Sequence, residues 1–308
     1  HVVDMQAAAL PPATLHAAAR ALLDAVGVMS AASGLSVEAR PFLELAGGDA
    51  RVQGALVLGT ALRTGAATAA LANGALAHAL DYEDAFDHAP VHPNASLIPA
   101  VLALAQTRGP VSGDELLTAI AVGCDFTCRL GLSLRQPMEQ GGWYPPPILG
   151  GFGAVAAAAR LLRLSARQLC DAWSMLLLQN SCPGQLKYDA DTVLRAVREA
   201  LPAQAAVMAV ELAGRDVRGF AEVFEGRAGF YALFAGGRYE PQELFDGLGE
   251  RWLVEQLSFK AWPSCRGTHA AIEAAITLRE SPSFDPAKVT GIHIEGGAVQ
   301  AMLAEPLS

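Results

Sequence analysis

Charge of either sign is scarce in this 308-residue chain, where 17% of residues are Asp, Glu, Lys or Arg and 52% are hydrophobic. So apolar a chain can bury a large core. That excludes intrinsic disorder and points to one large domain, alone or with a small companion. Positive charge is the scarcer sign, 22 Lys and Arg against 31 Asp and Glu, for a formal net charge of −9. This balance repels polyanions and leaves no broad phosphate-binding face, so nucleic acid is not an expected partner. An acidic metabolite can still be held where a few Lys, Arg and His side chains converge against the overall field. Cysteine is sparse too. Cys124, Cys128, Cys170, Cys182 and Cys265 are odd in number and scattered, which reads as reduced thiols in a cytoplasmic protein. The opening residues carry Asp4 and no cationic lead into an apolar block, so no secretory signal is expected from them. The Ala-rich run from Ala66 to Leu80 is broken by Asn73 and His78 and flanked by Arg63 and Asp81; a buried helix fits it better than a membrane span. No internal repeat of fixed period and no low-complexity linker occur.

What the chain has in abundance is alanine, the strongest intrinsic helix former, and helices packed closely through small side chains follow. From Leu15 to Met29, helical spacing sets Leu15, Ala18, Leu22, Val26 and Met29 on one face. Two later helices announce their starts by capping boxes, Ser112-Gly-Asp-Glu115 and Ser165-Ala-Arg-Gln168, in which side chains satisfy first-turn amides. The character changes after Pro263. A helix from about Thr268 to Arg279, with Thr268 as its cap, precedes the Pro-rich turn Ser281 to Pro286, and Val289 to Glu295 then alternates like a strand. A lone strand needs partners, so an α/β unit begins here that these residues do not finish. The expected class is mainly α: a large all-helical domain over residues 1–264, then the beginning of a small α/β domain over 265–308.

Three segments carry chemistry. Leu80-Asp-Tyr-Glu-Asp-Ala-Phe-Asp-His-Ala-Pro-Val-His-Pro93 crowds carboxylates and two imidazoles behind an apolar helix. Such crowding shifts pKa values and keeps acid and base together near neutral pH. A solvated acidic loop is the plain alternative, and Asp84, His88 and His92 as metal ligands a third. No HExxH or paired-Cys spacing accompanies them, so the site is expected to be metal-free. Lys260-Ala-Trp-Pro-Ser-Cys-Arg-Gly-Thr-His269 gathers cations around a turn that opens a helix, where backbone amides also favour an anion; solvated charges at an ordinary helix entry are its plain reading. Gly141 to Ala154 holds Gly150, Gly151 and Gly153 without the upstream strand of a dinucleotide fold, which argues for close helix packing.

In order, the stretches Leu22-Leu-Asp-Ala-Val-Gly27, Asn73-Gly-Ala-Leu-Ala-His-Ala-Leu-Asp-Tyr82, His92-Pro-Asn-Ala-Ser96, Gly151-Phe-Gly-Ala154 and Pro263-Ser-Cys-Arg-Gly-Thr-His269 resemble the MmgE/PrpD family of 2-methylcitrate dehydratases, cis-aconitate decarboxylases and related lyases or epimerases. The resemblance implies a helical domain, a smaller α/β lid beginning near Cys265, a cofactor-free site between them, and a homodimer. It places Asp81, His92 and Lys260 in the active site. Departures fall at Tyr144, where the family often has His, at Arg198, where it often has Lys, and at Ala85, where Thr is frequent. Tyr still donates a hydrogen bond, and Arg binds carboxylate but holds its proton.

The expected function is lyase chemistry on a small di- or tricarboxylic acid: removal of a proton next to a carboxylate, then loss of water. Decarboxylation and epimerisation are the related alternatives. Lys260, with Arg266 or Arg198, would neutralise the developing charge, while His92, oriented by Asp81, would move the proton. Tyr144 would protonate the leaving group, and exchanging the roles of His92 and Tyr144 fits equally well. His88 and His269 join the substrate-binding candidates. A carboxylate-binding protein without turnover and a metal-dependent hydrolase on the 81–92 loop are the rival classes.

Overall fold

The computed structural model describes residues 1–297 and 300. Helices α1 (Pro12–Leu35), α2 (Arg40–Gly48), α3 (Ala66–His78), α4 (Pro93–Thr107), α5 (Gly113–Leu132), α6 (Pro145–Leu161), α7 (Ala166–Leu177) and α8 (Ala200–Ala213) build the body. Short turns α9 (Phe230–Phe234) and α10 (Gln242–Phe245) follow, and α11 (His269–Arg279) comes last. Strands β1 (Ala55–Leu56) and β2 (Arg63–Thr64) form a two-residue antiparallel hairpin, which the sequence reading did not include. The protein is mainly α, as expected.

Helix α6 is the central rod: every residue from Pro145 to Arg160 is buried, and α4, α5, α7 and α8 pack around it. A helix apolar on all sides belongs inside a core. Its glycines let neighbours approach. A Cβ on Gly153 would overlap Thr127 Oγ1, and one on Gly151 would meet Asn180 Nδ2 at 2.6 Å. Across the same contact a Cβ on Gly123 of α5 would stand 2.6 Å from the Gly153 carbonyl oxygen. Close packing, and not a nucleotide, accounts for these glycines. Both capping boxes are present, with Ser112 accepting from the Glu115 amide and Ser165 from the Gln168 amide. Aromatic residues, only 6% of the chain, gather where α5, α6, α7 and α9 meet. There Phe126 stacks on Trp173 at 4.8 Å and Phe152 meets Phe230 edge-on at 5.1 Å. The five cysteines are free thiols.

Three expectations are corrected. Helix α1 buries Thr14, Ala17, Ala18, Ala21, Ala25, Val28, Met29 and Ala32, while Leu15, Leu22 and Val26 lie half-buried at the margin. It packs mainly against α3 and α5 and also touches α4 and the turn Leu253–Gln256, and alanines at the centre allow closer approach than leucines would. By length and composition α1 is also, among the described residues, the helix that could cross a membrane; a third of that stretch is buried in this fold. Thr268 does not cap α11 with its side chain; its hydroxyl donates back to the Cys265 carbonyl at 2.8 Å. Val289 to Glu295 forms no strand: Ile292 and Ile294 are 85% and 64% exposed, with no ladder partner beside them among the described residues. Extended backbone without a partner gains neither hydrogen bonds nor burial.

Candidate active site

Four chain segments converge beyond the C-terminal end of α3. The first is the 79–92 loop. Asp81 turns it with a left-handed φ of 53°, its amide donating to the His78 carbonyl at 2.8 Å; Asp tolerates this conformation better than most residues. Reciprocal backbone bonds between Ala85 and Ser258, at 2.9 and 2.8 Å, then draw the second segment alongside and deliver Lys260. The third contributes Tyr144, the residue before α6, and the fourth Arg195, Arg198 and Glu199, just before α8.

Lys260 is buried and donates to Asp81 Oδ1 at 2.6 Å and to Glu83 Oε1 at 2.7 Å. Arg195 reaches the other oxygen of Asp81 at 3.3 Å. Arg198 lies 5.0 Å from the centre of the Tyr144 ring, 3.3 Å from Glu199 and 3.8 Å from Glu83. It also donates to His78 Nε2. A guanidinium has no acceptor, so His78 presents a lone pair at Nε2 and its proton at Nδ1, which lies 2.7 Å from Glu83 Oε2. His92 Nδ1 donates to the Asp84 carbonyl at 2.7 Å, and its Nε2 is left as a lone pair. The carboxylate nearest His92 is Glu83, 3.5 Å from Nδ1; Asp81, expected to orient it, is held by Lys260 instead.

Burial drives the His92 pKa down to about 4, with Lys260, Arg198 and His78 pushing the same way and Glu83 opposing. The imidazole is therefore a bare base at neutral pH. Burial favours the neutral form of Glu83, but His78, His92 and Lys260 outweigh it and hold that carboxyl well below the usual range. Asp81 is lowered as well: burial and Glu83 raise it, while His78 and Lys260 prevail. Burial also raises the Tyr144 phenol. Two further carboxyls move up: Asp84 to about 7 by burial, and Asp24 of α1 to about 6 by burial and the charge of Glu83. Asp84 is clamped to the first turn of α4 by Asn94, whose Nδ2 donates to it at 2.8 Å.

A carboxyl whose folded pKa lies above its unfolded value gives stability that is present in acid and lost as pH rises through the folded pKa. Moving Asp84 from 3.8 to about 7 corresponds to roughly 4 kcal/mol lost between those two values. Asp84→Asn is expected to flatten the decline of melting temperature from pH 5 to 7.5 relative to the parent protein. Calorimetry of both across that range checks it, and parallel curves would show that Asp84 ionises normally.

Of the residues singled out in the sequence, Asp81, His92, Lys260, Tyr144 and Arg198 come together. Arg266 instead pairs with Asp87 at 3.0 Å near the surface, and His88 is exposed, its ring edge on Phe86. His269 is buried against Trp262 and makes no hydrogen bond to the cluster. The metal alternative on Asp84, His88 and His92 does not assemble, because His88 points to solvent and the Asp84 carboxyl is bound to Asn94. His78, Asp81 and Glu83 could each turn a ligand atom to one ion, but the Lys260 ammonium already stands between the two carboxylates and Arg198 occupies the His78 nitrogen. Sequence reasoning passed over His78, Glu83, Arg195, Glu199 and Lys187, the last with its ammonium 4.6 Å over the Tyr144 ring. A histidine closing an otherwise apolar, buried helix was the available signal for His78.

A cleft of about 580 Å³ lies elsewhere, beside the first turn of α3 and lined by Asp49, Arg51, Thr64, Thr68, Arg108 and Glu211. It is roughly 18 Å along α3 from His78. Its two arginines are paired with Asp49 and Glu211.

The MmgE/PrpD N-terminal domain matches residues 1–242. The chain belongs to the MmgE/PrpD family. Similar relatives include the cis-aconitate decarboxylase-like protein oryM of Aspergillus oryzae, 28% identical over 73% of this chain and 49% of its own length. The cis-aconitate decarboxylase of Homo sapiens is 29% identical over 69% of this chain and 44% of its own, and that of Aspergillus terreus 25% over 72% and 47%. The chain spans about half the length of the curated relatives it matches. Within this MmgE/PrpD chain the matched stretch carries His78, Asp81, Glu83, His92, Tyr144 and Arg198, and Lys260 lies beyond it.

Proposed function

We propose that this chain supplies the acid–base machinery of a lyase acting on a small di- or tricarboxylic acid. One observation carries the reading: His92 has its Nδ1 proton committed to the Asp84 carbonyl, so Nε2 is an unprotonated base, in a cluster where Glu83 Oε1 lies between that imidazole and the Lys260 ammonium. Nε2 takes the proton next to a substrate carboxylate, and the electron pair moves toward that carboxylate. Lys260 uses two of its three N–H groups on Asp81 and Glu83, and the third is the one we assign to the developing oxyanion. Three carboxylates (Asp81, Glu83, Glu199) balance three cations (Lys260, Arg195, Arg198) in the cluster. Lys187, with no carboxylate partner among the described residues, supplies the excess positive charge for the acid. For loss of water, the new C=C bond forms as the β-hydroxyl departs with a proton, which we assign to Tyr144. Residues 265–308 are taken as the start of a second domain, and the active unit as a homodimer without a cofactor.

Decarboxylation is the second reading, because the relatives are named for it. There a C–C bond breaks, CO₂ leaves and the carbanion needs a proton. An imidazole with a pKa of about 4 is unprotonated at neutral pH and starts the reaction as a proton acceptor, the state that the hydro-lyase reading needs. Proton NMR in D₂O with citrate, 2-methylcitrate, cis-aconitate and C4 dicarboxylates tests both. Exchange at the carbon next to a carboxylate, with vinyl signals from a hydroxy acid, is the expected outcome. Loss of CO₂ from cis-aconitate without prior exchange supports the second reading. Thermal stabilisation by an acid that is never altered would make the chain a binding protein.

A further inference from the structure

We propose that Glu83 is the positioning residue of this site, its single buried carboxylate holding the His92 base and the Lys260 cation in fixed relation. The inference rests on the reading that His92 moves the proton, a reading in which Glu83 serves only as one partner of Lys260. Glu83 is 3% exposed. Its Oε1 accepts from Lys260 at 2.7 Å and stands 3.5 Å from His92 Nδ1 and 3.8 Å from Arg198. Its Oε2 is 2.7 Å from His78 Nδ1. An ammonium, a guanidinium and two imidazoles thus meet on one side chain, and they arrive from four places: the end of α3, the start of α4, the turn before α8 and the segment after Ser258.

This arrangement has two consequences. A lysine alone is a flexible point charge; held between two carboxylates, its ammonium is fixed and its third N–H has a defined direction. For His92, Glu83 lies on the Nδ1 side, where it favours the Nδ1–H tautomer that the Asp84 carbonyl also accepts, so Nε2 keeps its lone pair. When Nε2 gains a proton, the imidazolium faces a carboxylate, and the charge born in the reaction is stabilised where it appears. The groups facing His92 are Glu83, Lys260, Arg198 and His78, and Glu83 is the carboxylate that opposes the two cations. Asp81 shares the lysine but is held by Arg195 on its other side and does not contact the imidazole.

The test uses the full chain. Glu83→Gln removes the charge and offers an amide that can donate to Nδ1. It is expected to lower kcat about 100-fold with KM changed less than about threefold, and to abolish the predominance of the Nδ1–H tautomer of His92 in ¹⁵N-histidine NMR at neutral pH. Glu83→Asp keeps the charge but withdraws it by one methylene. It is expected to retain the tautomer and lose about tenfold in kcat, since it no longer reaches Lys260 and His92 together. A folded Glu83→Gln protein with the wild-type tautomer overturns the proposal, whatever its kcat. Should Glu83→Gln fail to fold, wild-type kcat in Glu83→Asp overturns it. If the wild-type protein alters none of the acids, the lyase reading falls, and the tautomer still decides whether Glu83 governs His92.

Discussion

His92→Ala is expected to abolish exchange of the C–H next to the substrate carboxylate, with kcat down by roughly 10²–10⁴ and the fold intact. The reason is geometric. Among the groups of the cluster, His92 Nε2 is the nitrogen left with a lone pair and no partner, because Lys260 and the arginines are cations and His78 Nε2 is taken by Arg198. Its ring is part-buried and its removal takes one hydrogen bond, to the Asp84 carbonyl, so stability should fall by only about 1 kcal/mol. Activity and folding therefore separate in one variant: D₂O exchange reads the first and melting temperature the second. Exchange at the wild-type rate in His92→Ala would remove the imidazole from the mechanism and pass the proton to Tyr144, the other arrangement the residue chemistry allows.

The largest effect on stability is expected away from the site, in Arg129→Met. Arg129 is 1% exposed and pairs with Asp125 one turn earlier in α5 at 2.6 Å. Its other nitrogens donate to the carbonyls of Asp246 and Arg251, both at 2.7 Å. The second oxygen of Asp125 accepts from the Leu253 amide at 2.8 Å. The pair thus ties the irregular 246–253 segment to α5. Removing the cation leaves a buried carboxylate without its partner and two carbonyls without donors, at a cost of about 3–5 kcal/mol. For a chain of this size that lowers the melting temperature by roughly 10 °C. Adding Asp125→Leu to Arg129→Met should recover part of the loss by removing the orphaned charge. A drop below about 2 °C in the single variant would mean that water reaches Asp125 freely.

The helices, both capping boxes, the glycine contacts of α6 and the family itself were legible in the residues, because each depends on neighbours a few positions apart or on short matching stretches. The site was legible in part. Asp81, His92 and Lys260 were marked by the family resemblance, yet their pairing differs: Asp81 binds the lysine, and the carboxylate nearest the imidazole is that of Glu83. Arg266, His88 and His269 looked equally suitable in the sequence, and the backbone sends them to the surface, to Phe86 and to Trp262. The strand expected after Val289 shows the same limit, since alternation specifies a face and no partner.

By itself the sequence determined that this chain folds as close-packed helices and carries a crowded acid–base loop, because helix propensity, capping and apolar periodicity act over one or two turns. Only the tertiary structure decided which charges meet. The Ala85–Ser258 bridge brings together residues 173 positions apart, and a burial deep enough to push His92 to about 4 and Asp84 to about 7 comes from helices that no local stretch of sequence contains.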